Sequence, residues 1–148
     1  HCKMNAYLPC AWGTARVLWG LAALPSRSPV VEGAIQTGLD FLLDSAYHLT
    51  AGDYPTRGEP HALWAKLSFP LFYQADILFI LRLLAELKML KHPAAQPALA
   101  WLADKRQPNG RWRGVNPFRS RTWRLTGDSQ DTNRWVSLHA AIVLQQAA

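Results

Sequence analysis

With 148 residues, 49% of them apolar, the chain is long enough for one ordinary domain with a real core and too short for two. A formal net charge of +6 favours anionic partners without choosing among phosphate esters, nucleic acid and acidic lipid. Two cysteines exclude a disulfide scaffold, and Arg82, Glu86 and Lys88 interrupt the longest apolar stretch, Ile77 to Leu90, which excludes a membrane-spanning helix there. Seven tryptophans imply either an aromatic-rich core or an aromatic-lined cavity. No signal-peptide pattern appears, so a soluble, cytoplasmic protein is expected. The first residue is His rather than Met, and a fragment of a longer chain is expected.

Residues 1–10 read as a loop carrying both cysteines, Cys2 and Cys10. Trp12 to Leu24 is apolar on nearly every side, with Thr14 and Arg16 as polar exceptions, and this predicts a helix buried on most faces. Pro25 ends it. Ser28 as N-cap, Pro29 at the first position and Glu32 in the first turn then open a second helix. Val31, Ile35, Leu39 and Leu42 fall on one face of it and Gln36, Asp40 and Asp44 on the other, so it is amphipathic and peripheral. Residues 47–67 form a long irregular connection, of a length that is usually functional or disordered. Trp64, Leu67 and Phe69 predict that its far end is packed.

Ser68 and Pro70 mark a helix start, and Asp76 to Leu90 reads as a helix core apolar nearly all round, ended by His92 and Pro93. Residues 94–105 form a second amphipathic helix, with Ala98, Leu99, Trp101 and Leu102 on its apolar face and Lys105 and Arg106 in its last turn. Gln107, Pro108, Asn109 and Gly110 stop it. Asn109 and Gly110 supply the positive φ of a tight turn, and Trp112 is placed to fold back over that turn. The Gln107 amide is expected to bond the backbone of a neighbouring helix end. A second long loop covers 106–133, and Arg134 to Ala147 is a final, largely apolar helix. A buried helix, a Pro-marked turn and an amphipathic helix thus recur with a period of about 60 residues, which signals stacked hairpins sharing a core.

The segment Gln107, Pro108, Asn109, Gly110, Arg111, Trp112, after a helix carrying Trp101 and Leu102, resembles the QxxxGxW repeat of squalene–hopene cyclases. Its spacing is one residue shorter, as in the prenyltransferase and squalene-oxidase repeats. Leu8 to Gly13 leading into Val17 to Pro25, Phe69 to Asp76, and Arg134 to Leu138 are similar to hairpins of bacterial squalene-cyclase-like proteins. The resemblance covers nearly the whole chain. It implies an all-α, partial α/α toroid with buried helices inside and amphipathic ones outside. About two and a half hairpins are present, roughly half of a closed ring of about six. An open half-toroid is therefore expected, completed by the rest of a longer chain or by a homodimer mate.

The resemblance also implies a central cavity for an apolar, isoprenoid-like ligand. Carbocations need aromatic faces and exclusion of water. Trp12, Trp64, Phe72, Tyr73, Trp123 and Trp135 are the candidate cavity wall, with core or loop anchoring as the plainer role of each. The acidic DxDD motif of the cyclases and the DDxxD motif of class I terpene synthases are both absent; Asp128 and Asp131 are the closest acidic pair. Asp76, at the start of an otherwise apolar helix, is the surviving candidate acid, because burial would raise its pKa. Its plainer role is pairing with the helix dipole.

His1, Cys2 and Cys10 match no zinc spacing, and neither a metal nor a cofactor is expected. The loop Arg106 to Arg124 holds six arginines and no acid, interleaved with Trp112, Phe118 and Trp123. Arg111, Arg113, Arg119 and Arg121 are candidate anion ligands, against the alternative of a solvated basic loop. No helix-turn-helix, zinc finger or Gly-rich phosphate loop supports nucleic acid, whereas contact with a membrane surface stays open. His139 reads as a satisfied core histidine. Three functions follow: a cavity-forming domain for an isoprenoid-like ligand, incomplete alone; a true terpenoid cyclase or prenyl-transfer enzyme with its acid or metal ligands elsewhere; and a non-catalytic module gripping polyanions through its arginine loop.

Overall fold

The computed structural model describes residues 6–56, 61–121 and 129–148. The described residues form five α-helices: α1 (Ala11–Ala22), α2 (Pro29–Leu42), α3 (Ile77–Glu86), α4 (Gln96–Asp104) and α5 (Ser129–Ala147). Two three-residue 3-10 turns, Pro93–Ala95 and Arg119–Arg121, accompany them. There is no strand among these residues, only an isolated bridge between Ser68 and Val115. The protein is all-α.

The core is built on α3. Ile77, Leu78, Phe79, Ile80, Leu81, Leu83 and Leu84 are all buried, so this helix is apolar all round because it is packed all round. It lies against α1, α4 and α5, while α2 packs on α1 and α4 also packs on α5. In α2 the expected start is present: Pro29 is the first residue, and the Ser28 hydroxyl accepts from the Val31 N–H at 3.4 Å. Ile35, Leu39 and Leu42 are its buried face. Gly38 lets α1 approach, since a Cβ there would sit 2.7 Å from Leu18 Cδ2.

Four expectations need correction. First, α1 is not buried on most faces. Only Ala11, Ala15 and Leu18 are buried, and Val17 is 62% exposed, because α1 meets its neighbours along a single stripe. Second, no helix starts at Ser68. The backbone of 67–69 is held instead by Val115, through Val115 N–H to Leu67 O at 2.8 Å and Phe69 N–H to Val115 O at 2.9 Å. The helix begins only after Asp76.

Third, α3 ends at Glu86, before His92 and Pro93. Lys88 adopts φ +57°, and the bonds Lys88 N–H to Ala85 O (3.0 Å) and Met89 N–H to Leu84 O (2.7 Å) close a Schellman cap. Gly normally fills this left-handed position, and a lysine hid the stop. Lys88→Gly should therefore raise stability by roughly 0.5–1 kcal/mol, read from the denaturant midpoint. An unchanged or lower midpoint would count against the strain at Lys88.

Fourth, α5 starts at Ser129 rather than Arg134. The extra turn is held by the preceding loop: Gly114 N–H donates to Asn133 Oδ1 at 2.8 Å, and Trp112 N–H donates to Ser137 Oγ at 2.9 Å. Gly114 permits this approach, because a Cβ would sit 2.7 Å from Thr132 Cγ2 and 2.8 Å from Val136 Cγ2.

The turn after α4 forms largely as expected. Gly110 has φ +79°, and the buried Trp112 ring returns its indole N–H to Leu102 O at 2.7 Å. Lys105 is the C-cap rather than a last-turn residue. Gln107 acts through its backbone, bonding Arg111 O and Gly110 N–H, while its side chain is exposed.

Candidate functional site

Asp76 anchors the most unusual chemistry of the described residues. It caps α3 in an extended conformation, and its side chain is fully buried. Oδ1 accepts from the Phe79 N–H at 2.8 Å, and Oδ2 accepts from the Ser68 N–H at 2.8 Å. The first bond satisfies an orphan donor of the helix start. The second ties down the segment that bridges Val115. Burial pushes the carboxyl pKa up to about 7, against the opposing pull of those two N–H groups and of Arg82.

Beside Asp76 lies a cavity of about 210 Å³. Arg16 and Trp19 of α1 line it, as do Asp76 and the α3 residues Leu78, Phe79 and Arg82. His139 of α5 and the segment Ser68 to Leu71 complete it. The Arg16 guanidinium sits 4.2 Å from the Phe79 ring centroid, and one of its terminal nitrogens donates to the Gln74 carbonyl. The Arg82 guanidinium sits 5.0 Å from the Trp19 centroid. Burial lowers the pKa of both arginines, and Asp76 opposes that shift. His139 is half-buried; desolvation first, and the nearby Arg82 second, lower its pKa to about 4. Its ring lies 6.0 Å from Trp135 and 6.4 Å from Phe69, and Trp135 stacks on Phe69 at 5.3 Å.

The other sequence candidates are dispersed. Trp64 is only 4% exposed and anchors the long connection, donating its indole N–H to Leu49 O at 2.6 Å. Trp12 and Tyr73 meet at 6.2 Å in a separate apolar groove of about 630 Å³, which Cys10 also lines, between α1 and α2. Phe72 is half exposed and meets Phe118 edge-on at 5.0 Å. Among the described candidate aromatics Trp135, 45% exposed, adjoins the Asp76 cavity, through Phe69 and His139. Arg111 lines a third depression of about 510 Å³ with Arg106 and Arg134. Arg113 and Arg119 are exposed elsewhere. His1, Cys2, Trp123, Asp128 and the side chain of Arg121 lie outside the described residues.

Sequence reasoning missed Arg16, Arg82 and His139 as site residues. A signal for the two arginines existed: Arg16 is the one cation of α1 and Arg82 the one cation of α3, each among mostly apolar residues. Among the described residues no group of three or more His, Cys, Asp or Glu is placed to hold a metal ion. No helix of these residues is long and apolar enough to cross a membrane. Compared with family models, curated proteins and solved structures, the chain matches none.

Proposed function

We propose that the five helices are an arc of a squalene-cyclase-like α/α toroid whose inner face binds an apolar, isoprenoid-like ligand. In this reading α1, α3 and α5 are the inner helices and α2 and α4 the outer ones. One observation carries it: the Asp76 cavity draws its lining from α1, α3, α5 and the segment around 68–71, and none from α2 or α4. On α5 Trp135 adjoins this cavity through Phe69 and His139, and the exposed Leu138 and Ile142 are spaced to share its helical face, Leu138 also lining the depression that holds Arg106, Arg111 and Arg134. Further helices of a longer chain, or a second copy, would complete the ring around that face.

Calorimetric titration with farnesol tests the reading. Saturable binding is expected, weakened about tenfold by Trp135→Ala, the scale of losing one well-packed aromatic contact. Heats equal to dilution would overturn it. A second reading, a cyclase initiated by protonation, draws support from Asp76, whose carboxyl holds its proton to about pH 7 in the same cavity. That reading requires turnover of squalene or a farnesyl-type substrate that stops in Asp76→Asn; turnover unchanged in that variant would exclude Asp76 as the acid.

A further inference from the structure

Charges withdrawn from water need partners, and among the described residues two half-buried cations of this fold form no ion pair with a carboxylate. Arg27 and Arg134 each meet a carboxylate, at 3.6 Å and 3.5 Å. Arg16 and Arg82 are half-buried in the Asp76 cavity, yet among the described residues no carboxylate oxygen comes within 4.0 Å of either guanidinium. Asp76 lines the same cavity but spends both oxygens on the Ser68 and Phe79 N–H groups. Arg16 Nε is buried with no hydrogen-bond partner among the described residues. The two guanidiniums also repel one another across the cavity, and this helps to lower the pKa of Arg16.

We propose that Arg16 and Arg82 form a binding site for a phosphate-class oxyanion in the cavity shared by α1, α3 and α5. Both guanidiniums are seated over aromatic rings, Phe79 and Trp19, which fixes them without consuming the N–H donors of Arg82. The planar donor fork of arginine matches phosphate oxygens two at a time. A volume of about 210 Å³ suits a small polyatomic anion. It is below the size of a typical drug-sized pocket. An anion bound here would supply the missing counter-charge and relieve the repulsion. His139, neutral near pH 7, adds a hydrogen-bonding ring to the wall without a competing charge. The proposal goes beyond the apolar-ligand reading and does not depend on it, because it rests on the two guanidiniums alone.

The test is calorimetric titration of the folded chain with inorganic phosphate at pH 6.5 and fixed ionic strength. Saturable binding with a Kd of about 1 mM or tighter is expected. Arg16→Gln and Arg82→Gln should each weaken it about tenfold or more, as should Arg82→Lys, which keeps the charge and loses the fork. Lys91→Gln removes the same net charge at an exposed position and should leave binding unchanged. Titration with dodecyl phosphate, with dodecanol as its neutral counterpart, distinguishes the sources. Tighter binding of dodecyl phosphate than of both others assigns the site to an amphiphile headgroup, and equal binding of the two phosphates assigns it to free phosphate. No saturable binding of either phosphate, or an equal loss in Lys91→Gln, would overturn the proposal. Phosphate binding without farnesol binding would leave this site standing and remove only the apolar-ligand reading.

Discussion

Trp112→Ala is expected to lower the unfolding free energy by about 3–5 kcal/mol, the usual cost of deleting a buried large aromatic. Trp112 is 3% exposed and its indole N–H holds Leu102 O at 2.7 Å, so the truncation both opens a cavity and orphans a helix-end carbonyl. Two further features make the site slow to collapse around the gap. Ser137 bonds the Trp112 backbone in both directions, by accepting from its N–H and donating to its carbonyl at 3.3 Å, and Arg106 lies 5.5 Å from the ring centroid. Trp112→Phe keeps most of the ring and loses only the N–H bond, and should cost about 1–2 kcal/mol. Urea unfolding measures both. A loss below about 1 kcal/mol for the alanine variant would mean that the turn is not anchored by this ring.

Asp76→Ala is the second large effect, expected at about 2–4 kcal/mol near pH 5. It leaves two buried N–H groups, of Ser68 and Phe79, without an acceptor. The more informative variant is Asp76→Asn. The unfolded carboxyl releases its proton near 3.8, whereas the folded one keeps it to about 7. Between those values the native state carries the extra proton, so this group makes stability fall as pH rises, by roughly 1 kcal/mol per unit. The groups facing Asp76 are Arg16 on α1, Arg82 on α3 and His139 on α5. Both arginines stay charged throughout. His139 works in the opposite sense: its pKa falls from 6.5 to about 4, so its contribution to stability falls as pH drops through that window.

Comparing Asp76→Asn with the parent cancels the His139 contribution. The variant should be the less stable at pH 4.5, where it has lost an acceptor and the parent carboxyl is neutral. The gap should close or reverse by pH 7.5. A gap independent of pH would contradict a buried carboxyl with a raised pKa.

The helices were legible where local chemistry alone sets them. Ser28 and Pro29 specify the start of α2, and the apolar run from Ile77 specifies a helix packed all round. Asn109, Gly110 and Trp112 specify the turn after α4. What misled was any feature set by contacts distant in the chain. Ser68 and Pro70 carry helix-start chemistry, but Val115, far along the chain, claims their neighbours' backbone. Lys88 occupies a left-handed cap that sequence patterns assign to glycine. Asn133 and Ser137 extend α5 backward through loop contacts that no periodicity records.

The site divides in the same way. Asp76 stood out as the one acid at the head of an apolar helix, and its burial follows from that position. Arg16 and Arg82 looked like incidental polar breaks, because only the packing of α1 against α3 brings them to one cavity. Residue type near a helix end marks an aromatic as a candidate but does not encode its direction. Trp64 turned into the core, Trp12 and Tyr73 toward α2, and Trp135 toward Phe69.

The most direct measurement of the central claim is an amide and indole NMR map of the chain titrated with farnesol. Shifts are expected to concentrate at Trp135, His139 and Ile142 and at Phe69 to Leu71, with the exposed Val30 of α2 unmoved. Shifts confined to Trp12, Tyr73 and the α1–α2 groove, or none at saturating farnesol, would contradict an inner face made of α1, α3 and α5.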